Sequence, residues 1–106
     1  MRYDLNHNPS YAEAYLNLGT VLQEQKNHKA AIKIYQRAIE LTPKNPKLHN
    51  NLGASYKEEN NFSDAISSYQ DAIELNPDYA EAHSNLGSVL VKEGYIKKAL
   101  ERFKHA

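Results

Sequence analysis

The sequence predicts an all-α fold of tandem helix–turn–helix repeats, and three observations predict it. Pro9, Pro43 and Pro77 are separated by equal steps of 34 residues. The same step carries Leu18-Gly19 onto Leu52-Gly53 and Leu86-Gly87, Ala31 onto Ala65 and Ala99, and Tyr35 onto Tyr69 and Phe103. Within each period, two stretches place apolar residues at i, i+3, i+4 and i+7, the pattern of a helix with one apolar face. A fixed period over nearly the whole chain means one structural unit repeated. Such an array presents a surface, so function is sought on its faces rather than in a pocket.

The first helix is expected over residues 11–25, where Tyr15, Leu18, Gly19 and Leu22 share a face. Its partner, 28–41, carries Ala31, Ile32, Tyr35, Ala38 and Ile39. The second pair, 46–59 and 62–75, repeats the pattern with His49, Leu52, Gly53 and Tyr56, then Ala65, Ile66, Tyr69, Ala72 and Ile73. The third, 80–93 and 96–106, has His83, Leu86, Gly87 and Leu90, then Ala99, Leu100, Phe103 and Ala106. Ser10 before Glu13 and Asp78 before Glu81 read as capping boxes, and Asn45 reads as a cap with Pro46 at the first helical position. The turns Lys26-Asn27, Asn60-Asn61 and Gly94-Tyr95 need a left-handed residue, which Gly and Asn tolerate. Lys26 fits poorly, so that turn is expected either to be strained or to place its left-handed residue at Asn27. Mid-helix Gly19, Gly53 and Gly87 each cost about 1 kcal/mol relative to Ala, which predicts close helix approach there. The alanines supply the small partners, and Tyr35, Tyr69 and Phe103 the large ones.

The bulk properties exclude several function classes. The chain has 106 residues, 41% of them hydrophobic, with 13 basic and 13 acidic side chains balancing to zero net charge. A duplex-binding surface carries excess basic charge, so nucleic acid is not an expected partner. No run reaches the roughly 18 to 20 apolar residues of a membrane helix, so no membrane partner is expected. With no cysteine there are no disulfides or thiolate metal sites. That, with no leader sequence, fits an intracellular, cytoplasmic protein.

The pattern Asn-Leu-Gly, a large residue three positions on, then Ala, aromatic, Ala and Pro over 34 residues resembles the tetratricopeptide repeat, across residues 10–106. Lys26 and Asn60 depart from the usual turn glycine, and His49 and His83 from the usual large aromatic. The resemblance implies a right-handed superhelix with the first helix of each pair lining the concave face. It divides the chain into repeats at 10–43, 44–77 and 78–106, the last incomplete, with 1–9 as the tail of a preceding repeat. A segment cut from a longer array is thus expected, with uncapped ends able to associate end to end.

The most suggestive constellation is Asn17, Asn51 and Asn85, each preceding a Leu-Gly pair. One carboxamide per repeat on the inner helix offers a donor and an acceptor together, which suits a peptide backbone of any sequence. This looks like the asparagine ladder in the repeat superhelix of O-linked N-acetylglucosamine transferases; solvated polar filler is the competing reading. Other inner-face positions are Glu13, Lys47 and Glu81; Thr20, Ala54 and Ser88; and Gln23, Lys57 and Val91. The groove they form is mixed and nearly neutral. Other tetratricopeptide domains grip a terminal carboxylate with Lys, Asn, Asn, Lys and Arg. Here the same register holds Leu16, Thr20, Asn51, Glu81 and Asn85, which argues against that clamp.

His49 and His83 stand in equivalent places and read as packing residues rather than metal ligands; His7, His28 and His105 show no ligand spacing. No serine has an evident His and Asp partnership, and no Gly-rich phosphate loop exists, so neither catalysis nor a cofactor is expected. The expected function is protein–protein interaction, with an extended peptide or partner segment held in the groove by Asn17, Asn51, Asn85, Thr20, Ser88, Lys57, Glu13, Lys47 and Glu81. A substrate-recruiting arm of a larger glycosyltransferase and a self-assembling scaffold are the alternatives.

Overall fold

A computed structural model describes residues 9–94 and 101–103. Its described elements are five helices: α1 (Pro9–Glu24), α2 (His28–Leu41), α3 (Pro46–Glu58), α4 (Phe62–Leu75) and α5 (Ala80–Lys92). Residues 101–103 are also helical. Most of the expected sixth helix, the tail at 1–8, and Ala99 and Ala106 lie outside the described residues.

Consecutive helices pack as antiparallel neighbours, α1 on α2, α2 on α3, α3 on α4 and α4 on α5. In addition α1 meets α3 and α3 meets α5, a closer approach than α2 makes to α4. The first helices therefore line the inner side of an α-solenoid. Among the described residues, no helix is long and apolar enough to cross a membrane.

The glycines explain the intimacy of each pair. A methyl group on Gly19 would sit 2.5 Å from the Tyr35 ring, and one on Gly53 would sit 2.7 Å from the Tyr69 ring. Each tyrosine ring fills the space where its repeat's first helix has no side chain. One core combines Ala31, Tyr35, Ala38, Leu48 and Leu52, the next Ala65, Tyr69, Leu86, Val89 and Leu90. Half-buried Tyr56 packs against both and joins them. The register is incomplete on α1: Leu18 is 44% exposed, whereas its counterparts Leu52 and Leu86 are 7% and 0% exposed. Those two are covered by the second helix of the preceding repeat.

The turns close in one way. Lys26 N–H donates to the Gln23 carbonyl at 2.9 Å and Asn27 N–H to the Leu22 carbonyl at 2.8 Å. Asn60 and Asn61 repeat this with Lys57 and Tyr56, at 2.9 Å each. This paired closure requires a left-handed residue just past the helix. Lys26 supplies it at φ 64°, Asn60 at φ 62° and Gly94 at φ 82°. Asn27 has a negative φ of −94°, so of the two expectations the strained Lys26 is what the fold adopts. The hydrogen-bond pattern fixes which position turns, whatever residue stands there.

Helix starts correct part of the sequence reading. Asn45 does cap α3, its Oδ1 accepting from Lys47 N–H at 3.0 Å, with Pro46 following. Neither expected capping box forms. Ser10 already lies inside helix α1 rather than at its cap. The N-cap of α5 is Tyr79, without a side-chain cap bond. Asp78 is instead held in the preceding turn, its N–H donating to Asn76 Oδ1 at 3.3 Å.

The two histidines share one structural task. His49 Nε2 lies 2.9 Å from the Pro43 carbonyl, and His83 Nε2 lies 2.8 Å from the Pro77 carbonyl. Each imidazole ties a first helix to the proline that ends the previous repeat. The other ring nitrogen of His49 faces Asp71 of α4 at 3.9 Å.

Candidate functional site

The inner side is built from one stripe on each of α1, α3 and α5. Asn17 is exposed, while Asn51 and Asn85 are half-buried. Glu13, Lys47 and Glu81 are exposed at the entry end of their helices. Thr20, Lys57 and Ser88 are half-buried further along.

Two of the three asparagines also hold neighbouring repeats together. Asn85 Nδ2 donates to Asn50 Oδ1 across α3 and α5 at 3.1 Å. The Asn51 carboxamide lies against the Tyr35 hydroxyl and favours its ionised form. A carboxamide has two donors and an acceptor oxygen with two lone pairs, so one such bond leaves capacity free. Asn17 is open to solvent.

The structure adds one residue that sequence reasoning passed over and gives a role to another that it had placed on the inner face. Asn50 is buried, because α3 and α5 close over it. Besides meeting Asn85, it lies near the Tyr79 hydroxyl and opposes the rise that burial and Glu81 impose on that group's pKa. Its departure from the Leu16 and Ser84 of its register was the available signal. Gln23, an inner-face position by register, is the hub of a polar network between the first two repeats. Tyr35 Oη donates to Gln23 Oε1 at 2.7 Å, and Gln23 Nε2 donates to the Asn51 carbonyl at 2.9 Å and to Ser55 Oγ at 2.8 Å. Thr20 Oγ1 lies 3.3 Å from the same tyrosine hydroxyl. Burial raises the Tyr35 pKa above the ordinary phenol value, the Thr20 and Asn51 side chains oppose the rise, and Glu24 adds to it.

Repeat two lacks this network. Ala54 replaces Thr20, Lys57 replaces Gln23 and Val89 replaces Ser55. The Tyr69 hydroxyl is buried without a hydrogen-bond partner among the described residues. Burial raises its pKa far above the usual phenol value, and the carboxylates of Glu58 and Glu81 push it the same way.

Comparison with known proteins agrees with this architecture. A family model for the tetratricopeptide repeat matches residues 10–78, and a second of the same description matches 56–106. No curated protein matches the chain in sequence. Among solved structures, the TPR2AB domain of yeast Sti1 in complex with pHSP90 superposes with a TM-score of 0.92 at 23% identity, over 94% of this chain and 39% of that one. The first TPR of Spaghetti (RPAP3), bound to the HSP90 peptide SRMEEVD, gives 0.90 at 23% identity, over 94% and 79%. MamA from Desulfovibrio magneticus gives 0.86 at 26% identity, over 92% and 55%. The chain thus spans well under two thirds of the Sti1 and MamA chains that it matches.

Proposed function

The chain belongs to the tetratricopeptide-repeat family, and from that premise we propose that it is a protein–protein interaction module holding an extended peptide along α1, α3 and α5. The observation that carries this reading is the register of Asn17, Asn51 and Asn85, one carboxamide per repeat on the inner side, each with bonding capacity to spare. A backbone amide of the partner can donate to and accept from each of them. The work is binding, with no catalytic step.

The similar Sti1 and Spaghetti structures are complexes with pHSP90 and an HSP90 peptide, which supports a peptide as the class of partner. The acidic-tail mode does not suit this chain. Glu81 stands where the clamp of other tetratricopeptide domains has a lysine, and Leu16 where it has another. The groove has Glu13, Lys47, Lys57 and Glu81 in near balance, so the expected partner is an extended segment with little net charge.

The test is a peptide array probed with the wild-type chain and with the Asn17→Ala, Asn51→Ala, Asn85→Ala triple variant. At about 1 kcal/mol per bond, losing three weakens binding about a hundredfold. Unchanged binding by a variant with wild-type helical circular dichroism removes the ladder.

A further inference from the structure

The two described repeats differ at one buried spot, and the difference points outward. In repeat one a carboxamide, Gln23, accepts from the Tyr35 hydroxyl and donates to the carbonyl of Asn51. In repeat two the tyrosine is kept, its ring still seated on a glycine, but the carboxamide is gone. Lys57 stands in its place, and an ammonium has no lone pair with which to accept from a hydroxyl. Lys57 could donate to the hydroxyl oxygen, yet no such bond is present and Tyr69 Oη has no partner among the described residues. A fully buried hydroxyl left in this way has lost its water without regaining a bond.

We propose that the position beside Tyr69 is a side-chain subsite of the peptide groove that takes a glutamine or asparagine of the bound partner. The partner's amide oxygen accepts from Tyr69 Oη, and its amide N–H donates to the carbonyl of Asn85, the residue in register with Asn51. The partner thereby supplies from outside the group that Gln23 supplies from within. The surroundings select the neutral amide: Glu58 and Glu81 both act electrostatically on this hydroxyl and repel an incoming glutamate or aspartate. Lys57 is half-buried, and its flexible stem lets the ammonium swing toward solvent as the amide enters. This subsite rests on the peptide-groove reading above.

The experiment is a positional-scanning peptide array probed with the wild-type chain, Tyr69→Phe and Lys57→Gln. The wild type prefers Gln or Asn over Glu, Asp, Ala and Leu at one peptide position. Tyr69→Phe erases that preference, lowering affinity for the amide peptides about fivefold to tenfold, while other peptides bind as before. Lys57→Gln fills the subsite from within, erases the preference and raises the melting temperature. Binding without an amide preference, or a preference that survives Tyr69→Phe, overturns the subsite and leaves the groove standing. Binding of no peptide by any of the three overturns both.

Discussion

Removing one hydroxyl from each of two equivalent tyrosines should have opposite effects. Tyr35→Phe breaks the 2.7 Å bond to Gln23 and leaves Oε1 of that half-buried side chain without its donor. One bond lost plus part of a desolvation penalty costs about 1–2 kcal/mol. Tyr69→Phe breaks nothing, because Tyr69 Oη has no partner among the described residues. It deletes a buried unpaired group whose burial costs about 1–3 kcal/mol, so the variant is neutral or more stable by about 1 kcal/mol. The separation between the two variants is then about 1–3 kcal/mol. Urea unfolding followed by far-ultraviolet circular dichroism measures it. Midpoints are to be compared at constant slope, since repeat arrays lose cooperativity more readily than compact domains. Equal losses in the two variants, or a larger loss in Tyr69→Phe, would refute the claim that only the first repeat has a completed polar hub.

Three further outcomes are expected. Lys26→Gly relieves a left-handed lysine and stabilises the chain by about 1 kcal/mol, whereas Asn60→Gly gains less, as compared by melting temperature. Gly53→Ala drives a methyl to 2.7 Å from the buried Tyr69 ring and costs about 1–3 kcal/mol in the same urea assay. The third concerns pH. The Tyr35 and Tyr69 pKa values are raised on folding, so the unfolded chain loses these protons first as pH climbs. Their stabilising contribution is complete below the ordinary phenol value near 10 and is lost as pH rises above it. Unfolding midpoints should therefore fall from about pH 10 upward, and Tyr69→Phe should flatten that fall.

The period was legible because three in-register copies of glycine, alanine and aromatic residues have one packing explanation, and the structure supplies it at Gly19 and Gly53. Helix spans followed from the same periodicity. The starts at His28, Pro46, Phe62 and Ala80 followed as well; what the periodicity did not give was which side chains cap them. Ser10 lies inside α1, and Tyr79 rather than Asp78 stands at the N-cap of α5. Lys26 shows tertiary closure overriding residue preference, since the paired turn bonds dictate a left-handed residue at that position. The inner face was legible as a stripe but not as a set of contacts. Asn50 and Gln23 reach across to the next repeat, and single-repeat periodicity does not encode such reach. The contrast between Tyr35 and Tyr69 was written in three substitutions, Thr20 to Ala54, Gln23 to Lys57 and Ser55 to Val89. It became visible only once those positions converged on one hydroxyl.

The central claim is that a peptide lies along the first helices. Nuclear magnetic resonance of the isotope-labelled chain, titrated with its best array peptide, tests it most directly. The side-chain amide signals of Asn17, Asn51 and Asn85 should shift together, along with backbone amides of α1, α3 and α5. Shifts confined to outward positions of α2 and α4, such as Lys33, Arg37, Gln70 and Asp71, with the three asparagines unmoved, would contradict it.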